Sequence, residues 1–346
     1  MNQYKNILII RTDKIGDVVL TTPAIEAVRV NFPNAKITVL VSQNTVDLVD
    51  GNPYVDEVLV DNRRGRMKGV FNFWKLVQTI RSRKFDVAFI FHTKKRTNLI
   101  CFLAGIPERI GYKDKNYGFL LTRGFEDRRH FGEKHEVEYC LDLLRKTGMN
   151  FINPSIFLPI KPQAQQWAQQ WVEANNPSKL KMVAIHPGAS DLTKRWSAGR
   201  FVELINALVK EHNCCVLVIG GENVVELTRE MSAQCSFPFF DLTGQTSIAQ
   251  LASLLRLCDL LISNDSGPMH LGAAVGIYVI ALFLRNQPGI NPERWKPYGP
   301  KGFVLSNRPE EAILLGKDGS VASGQKDSIQ IKDVMTLANE LLRRPK

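Results

Sequence analysis

Short apolar runs alternate along this chain with stretches in which apolar residues recur every three or four positions. The runs NILII (6–10), KITVLV (36–41), DEVLVD (56–61) and DVAFIF (86–91) predict strands. Helical spacing predicts helices over VVLTTPAIEAVRVNF (18–32) and over 70–83, 97–104 and 133–147. In the third of these, Val70, Phe73, Trp74, Val77 and Ile80 form one stripe, expected to pack on the first sheet. The pattern breaks on the three prolines of NPSIFLPIKP (153–162), which reads as a linker. It then restarts with KMVAIH, the helix SAGRFVELINALVKEH and CCVLVIGG. A helix from about Asn223, the helix SIAQLASLLRLC, the strands DLLIS and YVIALFL and a last helix, IKDVMTLANELLRR, follow. Strands alternating with helices from end to end predict an α/β protein of two doubly wound, Rossmann-like parallel-sheet domains, residues 1–158 and 159–328, with a terminal helix in 329–346. In such sheets ligands bind beyond the carboxyl ends of the strands, so two domains facing each other place their loops across one cleft.

Composition adds little until charge is located. The 346 residues are 44% hydrophobic and 23% charged, an ordinary soluble balance. The apolar run before Arg11 is too short for a signal peptide, and GIYVIALFL is too short for a membrane span. Six cysteines without CxxC spacing read as reduced, buried thiols of a cytoplasmic protein. The formal charge of +11 is concentrated: residues 61–134 hold 18 Lys+Arg against 7 Asp+Glu, which accounts for the whole excess. That segment is either a solvated face or a docking region for an anionic partner. Nucleic acid is disfavoured, because it would leave unexplained the acids in the strand-end loops described next.

No loop fits G-x-G-x-x-G or G-x-x-x-x-G-K-[ST], and no Asp-x-Asp pair offers a metal for a diphosphate. Protein cations and backbone amides must therefore neutralise any phosphate. In HPGASDLTKRW (186–196), Gly188 allows close approach, Ser190 and Thr193 offer hydroxyls, and Lys194 and Arg195 bring charge. GGEN puts Glu222 where a carboxylate accepts ribose hydroxyls. LLISNDSGPMHLGAA (260–274) runs a strand into a helix whose first amides suit a pyrophosphate, with Asp265 placed for sugar hydroxyls. Together these describe a nucleotide-sugar pocket. In RTDKIGDVVLTTP, Asp17 either opens a helix as its cap or faces that pocket as a base. A sugar-nucleotide epimerase shares such a two-domain plan, and only an acceptor product separates it from a transferase.

The segments ILIIRTDKIGDVVLTTPAIEAVR, HPGASDLTKRWSAGRF, GGEN and ISNDSGPMHLGAA, in that order and spacing, resemble glycosyltransferase family 9, the lipopolysaccharide heptosyltransferases. The likeness spans nearly the whole chain, through YGP at 298–300. It implies a GT-B fold: an acceptor domain (1–158), a donor domain (159–328) and a terminal helix returning to the first domain. It implies inverting transfer of a heptose from ADP-L-glycero-D-manno-heptose to the anionic lipopolysaccharide inner core, without metal or cofactor. Another sugar donor is the alternative within the family. Under this resemblance Asp17 is the catalytic base, Lys194 binds the diphosphate and Glu222 the ribose. Ser190, Thr193, Thr246, Asp265, Ser266, Gly267 and His270 surround the donor. Asp13, Arg63, Arg64, Arg66, Lys94 and Arg96 are expected on the acceptor side, where Arg63, Arg64, Arg66 and Lys68 form a basic loop. The expected setting is cytoplasmic and peripheral at the inner face of the membrane. Two segments depart from the family pattern: His92 stands where many relatives carry an aspartate, and FLRNQPGINPERW lacks the usual glycine-rich ending.

Overall fold

The computed structural model describes residues 4–62, 66–115, 117–307 and 328–344, with side chains of the helix Arg66–Ser82 from residue 69 onward. The chain divides into two units at Pro159 and Ile160, inside the proline-rich stretch, with the short piece Phe131–Glu133 joining the second.

The first unit is one parallel sheet of β1 (Asn6–Ile10), β2 (Lys36–Ser42), β3 (Glu57–Asp61), β4 (Val87–Ile90), β5 (Glu108–Lys113) and β6 (Arg123–Glu126), ordered β3-β2-β1-β4-β5-β6. Ile7 of β1 registers with Ile37 on one side and Val87 on the other. Both of its faces are covered, so β1 and β4 are apolar at nearly every position rather than at alternate ones. The expected helix over 18–32 is two helices, Ile15–Val19 and Thr22–Asn31, with Pro23 at the start of the second. The stripe on Arg66–Ser82 also differs from its expectation. Leu76, Val77 and Ile80 enter the core beneath β1 and β4 with Phe73 against them, while Val70 and Trp74 stay exposed. The helix begins at Arg66, so Arg66 and Lys68 belong to its first turn and not to a loop; Arg63 and Arg64 lie outside the described residues.

The second unit repeats the plan with β7 (Met182–His186), β8 (Cys215–Val218), β9 (Phe240–Asp241), β10 (Leu260–Asn264), β11 (Tyr278–Phe283) and β12 (Gly302–Ser306), ordered β12-β11-β10-β7-β8-β9. Counted within each unit, both sheets have the order 3-2-1-4-5-6 of a dinucleotide-binding fold. The helix Ala198–His212 ends at Asn213 in the left-handed conformation (φ 47°), where asparagine is tolerated. Ser247 and Gln250 form a capping box on Ile248–Leu255.

The terminal helix Ile331–Arg343 corrects an expectation. It packs on Ala198–His212, β10 and β11 of the second unit, with Val334, Met335, Ala338, Leu341 and Leu342 in that unit's core. Its apolar face meets Val202, Ile205 and Leu208 of that unit, which buries the stripe its helical spacing creates. Its entry is tied down as well: Trp196 Nε1 donates to Ile329 O at 3.1 Å, and Arg200 donates to the same oxygen.

Candidate active-site loops

Strand order reverses between β1 and β4 in one unit and between β7 and β10 in the other, and the loops leaving those strands carry the candidate residues.

In the first unit the organising group is Arg11, which the sequence reading passed over. It follows β1, is buried, and holds three carboxylates. Its Nε donates to Asp13 Oδ1 at 2.9 Å, and its Nη2 donates to Asp17 Oδ1 at 2.6 Å and to Glu136 Oε1 at 3.0 Å. Burial works against the guanidinium charge, and the carboxylates of Asp13, Asp17 and Glu136 more than offset it, so Arg11 stays protonated. Glu136 reaches this point from the helix Glu136–Arg145, and is wholly buried. The signal available in the sequence was an arginine at the mouth of a strand with acids two and six residues on. Asp17 is not a cap: the helix starts at Ile15 behind Lys14, and the Asp17 carboxylate turns back to Arg11. Burial pushes Asp13 up to about 6, Arg11 pulling it down and Asp17 adding repulsion. His92 stands beside it, Nε2 at 4.0 Å from Asp13 Oδ2 and Nδ1 sharing a hydrogen with Thr12 Oγ1 at 3.0 Å.

The other expected acceptor residues lie at the start of the helix Lys95–Leu103. Lys94 is exposed at its cap. Arg96 instead makes a bidentate pair with the buried Asp61, Nη2 to Oδ1 at 2.7 Å and Nε to Oδ2 at 3.1 Å, which neutralises its charge.

In the second unit Asn264 explains why β10 ends as it does. It is buried, its Nδ2 donates to Pro187 O at 2.7 Å, and its Oδ1 accepts from Trp196 N–H at 3.0 Å, so one side chain pins both ends of the 187–196 loop. Gly188 is needed where the chain leaves β7, since a Cβ there would lie 2.6 Å from Val224 Cγ2. Lys194 then meets Asp265, Nζ to Oδ2 at 2.5 Å, both largely buried. Thr193 does not offer its hydroxyl outward as expected: it is buried and donates to Asp191 Oδ1 at 2.7 Å, closing the turn that presents Lys194. Arg285 reaches the same acid, Nη1 to Asp191 Oδ2 at 2.5 Å, and Arg195 folds back on Ala189 O.

The helix Gly267–Ala274 begins at this corner, one residue earlier than its proline suggested. Its N-cap Ser266 makes no side-chain bond to the first turn; the hydroxyl pairs with His186 Nδ1 at 2.9 Å and donates to Asn264 O at 3.1 Å. The leading amides are thus left to other acceptors. Burial, with Arg195 nearby, pushes His186 down to about 4, so it is neutral near pH 7. His270 is buried in the first turns of the helix, and Ser190 is exposed on its loop. Glu222 is exposed in the turn after β8. Beside it comes the loop carrying Thr246: Gly244 (φ +69°) donates to Gly220 O at 2.9 Å, and a Cβ on Gly244 would sit 3.6 Å from Glu222 Cα. The second unit's strand ends thus bring together a paired lysine, a helix start, hydroxyls and acids.

Relatives carry the same plan. A family 9 glycosyltransferase from Veillonella parvula superposes with a TM-score of 0.84 at 23% identity, covering 98% of this chain and 97% of its own. Escherichia coli ADP-heptose lipopolysaccharide heptosyltransferase II superposes at 0.78 and 22%, covering 97% and 98%. By sequence, the lipopolysaccharide core heptosyltransferase OpsX of Haemophilus influenzae is 25% identical over 312 residues, 89% of this chain and 86% of the relative. The family model for glycosyltransferase family 9 (heptosyltransferase) matches residues 73–319, well over half of the chain. With two Rossmann-like units and that match, this is a glycosyltransferase of GT-B fold, and the chain belongs to family 9, the heptosyltransferases.

Proposed function

We propose that the enzyme transfers a heptose, with inversion, from ADP-L-glycero-D-manno-heptose to the inner core of lipopolysaccharide. The observation that carries this reading is the fixed Asp17 carboxylate, 2.6 Å from a buried guanidinium in the first unit's strand-end loops. The names of relatives that act on ADP-heptose and on the lipopolysaccharide core support the donor and the acceptor class.

Asp17 accepts the proton of the acceptor hydroxyl. The freed oxygen pair attacks the anomeric carbon, the bond from that carbon to the diphosphate oxygen breaks, and ADP leaves with its electrons. General-base help of this kind is worth roughly 10²–10⁴-fold. Arg11 orients Asp17 through their 2.6 Å contact, and orientation matters because a base one ångström out of place loses most of its effect. Lys194 and the leading amides of Gly267–Ala274 take up the charge that develops on the leaving diphosphate. Asp265, paired to Lys194, receives sugar hydroxyls once the diphosphate claims the lysine. Glu222 and Thr246 hold the nucleoside, with Ser190, Ser266 and His270 lining the donor. Asp13, Lys94 and the basic residues Arg63, Arg64 and Arg66 meet the anionic acceptor. The enzyme works at the inner face of the cytoplasmic membrane, as a peripheral protein; no helix among the described residues is long and apolar enough to cross one.

The test is incubation with ADP-heptose and water-soluble, deacylated core acceptors of defined length. Mass spectrometry should find an acceptor heavier by one heptose, with ADP released in equal amount. Donor consumption without acceptor product would replace this reading with an epimerase.

A further inference from the structure

The helix Arg66–Ser82 leaves apolar surface that its own sheet does not cover. Val70 is 65% exposed, Phe71 71% and Trp74 50%, while Leu76, Val77 and Ile80 of the same helix are buried. The exposed residues therefore sit in its first half. That half is next to the carboxyl end of β3, because the strand ends at Asp61 and the helix starts at Arg66.

Two neighbours extend the same end. The helix Lys95–Leu103 packs on Arg66–Ser82 and begins just after β4, and the turn Gly118–Leu120 packs on Lys95–Leu103 close to the end of β5. Adjacent residues tie the three together. Arg96 lies over the Phe73 ring at 5.1 Å, and Lys95 Nζ lies 5.6 Å from the Tyr117 ring. Phe119, at 79%, is among the most exposed aromatics and leans on Tyr117 at 5.6 Å between ring centroids.

Cations outnumber acids along this stretch. Residues 66–119 hold 12 Lys+Arg against 3 Asp+Glu. Asp86 and Glu108 stand at the amino ends of β4 and β5, as do Arg81, Arg83, Lys84 and Arg109, and Asp114 sits between Lys113 and Lys115 at the carboxyl end of β5. Lys75, Lys94, Lys95, Lys113 and Lys115 are exposed. Large exposed aromatics beside lysines are costly in water and favourable at a lipid headgroup boundary, where rings bury and ammonium groups meet anionic heads.

We infer that Val70, Phe71, Trp74 and Phe119, with the exposed lysines of the same elements, are the face on which the first unit docks to an anionic lipid bilayer. The patch occupies the strand ends from which Asp13 and Asp17 also project. Docking there sets a lipid-anchored acceptor at the height of the candidate base. This deepens the proposed function and rests on it for the acceptor's lipid anchor, but its test does not.

The experiment is co-sedimentation of the full chain with vesicles of phosphatidylglycerol and phosphatidylethanolamine, against phosphatidylcholine alone. The protein should bind the anionic vesicles only, less at high salt. Brominated lipid should quench Trp74, read as the difference between wild type and Trp74→Phe. Phe71→Ser with Trp74→Ser should lower vesicle partitioning by about tenfold or more. That variant should keep an unchanged melting curve and unchanged turnover on deacylated acceptor. No binding to anionic vesicles by the wild type overturns the inference, as does equal binding by the variant. A wild-type dimer that becomes monomeric in the variant, with Trp74 unquenched by lipid, overturns it in favour of a second copy on this face. Failure of transfer to the deacylated acceptor counts against the proposed function and leaves the vesicle result standing on its own.

Discussion

The two units share one strand order and put chemistry at the same topological point, yet their loops are charged in opposite senses. After β1, one buried cation is outnumbered by three carboxylates. After β7 and β10, one lysine meets one acid beside open helix amides, with Arg285 and Arg195 nearby. The first arrangement suits taking up a proton and the second suits holding an anion. The sheet order is shared, and the residues at each strand mouth set the difference in charge.

The sharpest way to break the comparison is Asp17→Asn. Turnover should fall by roughly 10²–10⁴-fold while ADP affinity stays as it was. Steady-state kinetics with calorimetry checks both, and wild-type turnover would reduce the first cluster to structure alone. Arg11→Met comes next. It strands Glu136 without its cation, and breaking a buried pair in this way costs about 3–5 kcal/mol. A large drop in the melting temperature is the readout, and an unchanged melting curve would remove Arg11 as the organiser. Lys194→Ala should weaken ADP binding by about 1.5–3 kcal/mol, because a charged partner is lost and Asp265 remains to repel the diphosphate. Lys194→Ala with Asp265→Asn should regain part of that loss in calorimetry; no regain means the two do not share the ligand.

The smallest effect is on pH. Asp13, raised to about 6, should give an acidic limb as its ionised form is lost below that value. Because its folded value lies above the ordinary carboxyl value, its contribution to stability is full at low pH and disappears as pH rises through about 6. Asp13→Asn should flatten both trends. An acidic limb unchanged in that variant assigns the titration to another group.

Much of this was legible in the chain because strands buried on both faces are written as unbroken apolar runs, as in β1, β7 and β10. β5, β6, β9 and β12 were missed. ERIGYK and RGFE place charge and glycine in strands, and β6 and β12 are edge strands that need bury only one side. The helix Pro162–Asn175 was missed for a related reason: its stripe is Ala164 and Ala168 among glutamines, a weak apolar signal. At the site, Asp265 and Lys194 stood out as charged residues in glycine-bearing strand-end loops, and the structure brings them together. Asn264 and Asp191 could not be read as the residues that fix the loop, since their partners lie far away in sequence.

By itself, then, the sequence determined two parallel α/β units, the turn between them and the strand mouths where chemistry collects. These follow from local periodicity and from glycine, proline and capping residues, which act over a few positions. Tertiary structure alone decided that Arg11 collects three acids, that Thr193 and Arg96 are spent on internal partners, that the terminal helix packs on the second sheet, and that Phe71 and Trp74 face water. Each depends on which distant side chain arrives at hydrogen-bond distance or covers an apolar face, and the packing of elements sets that.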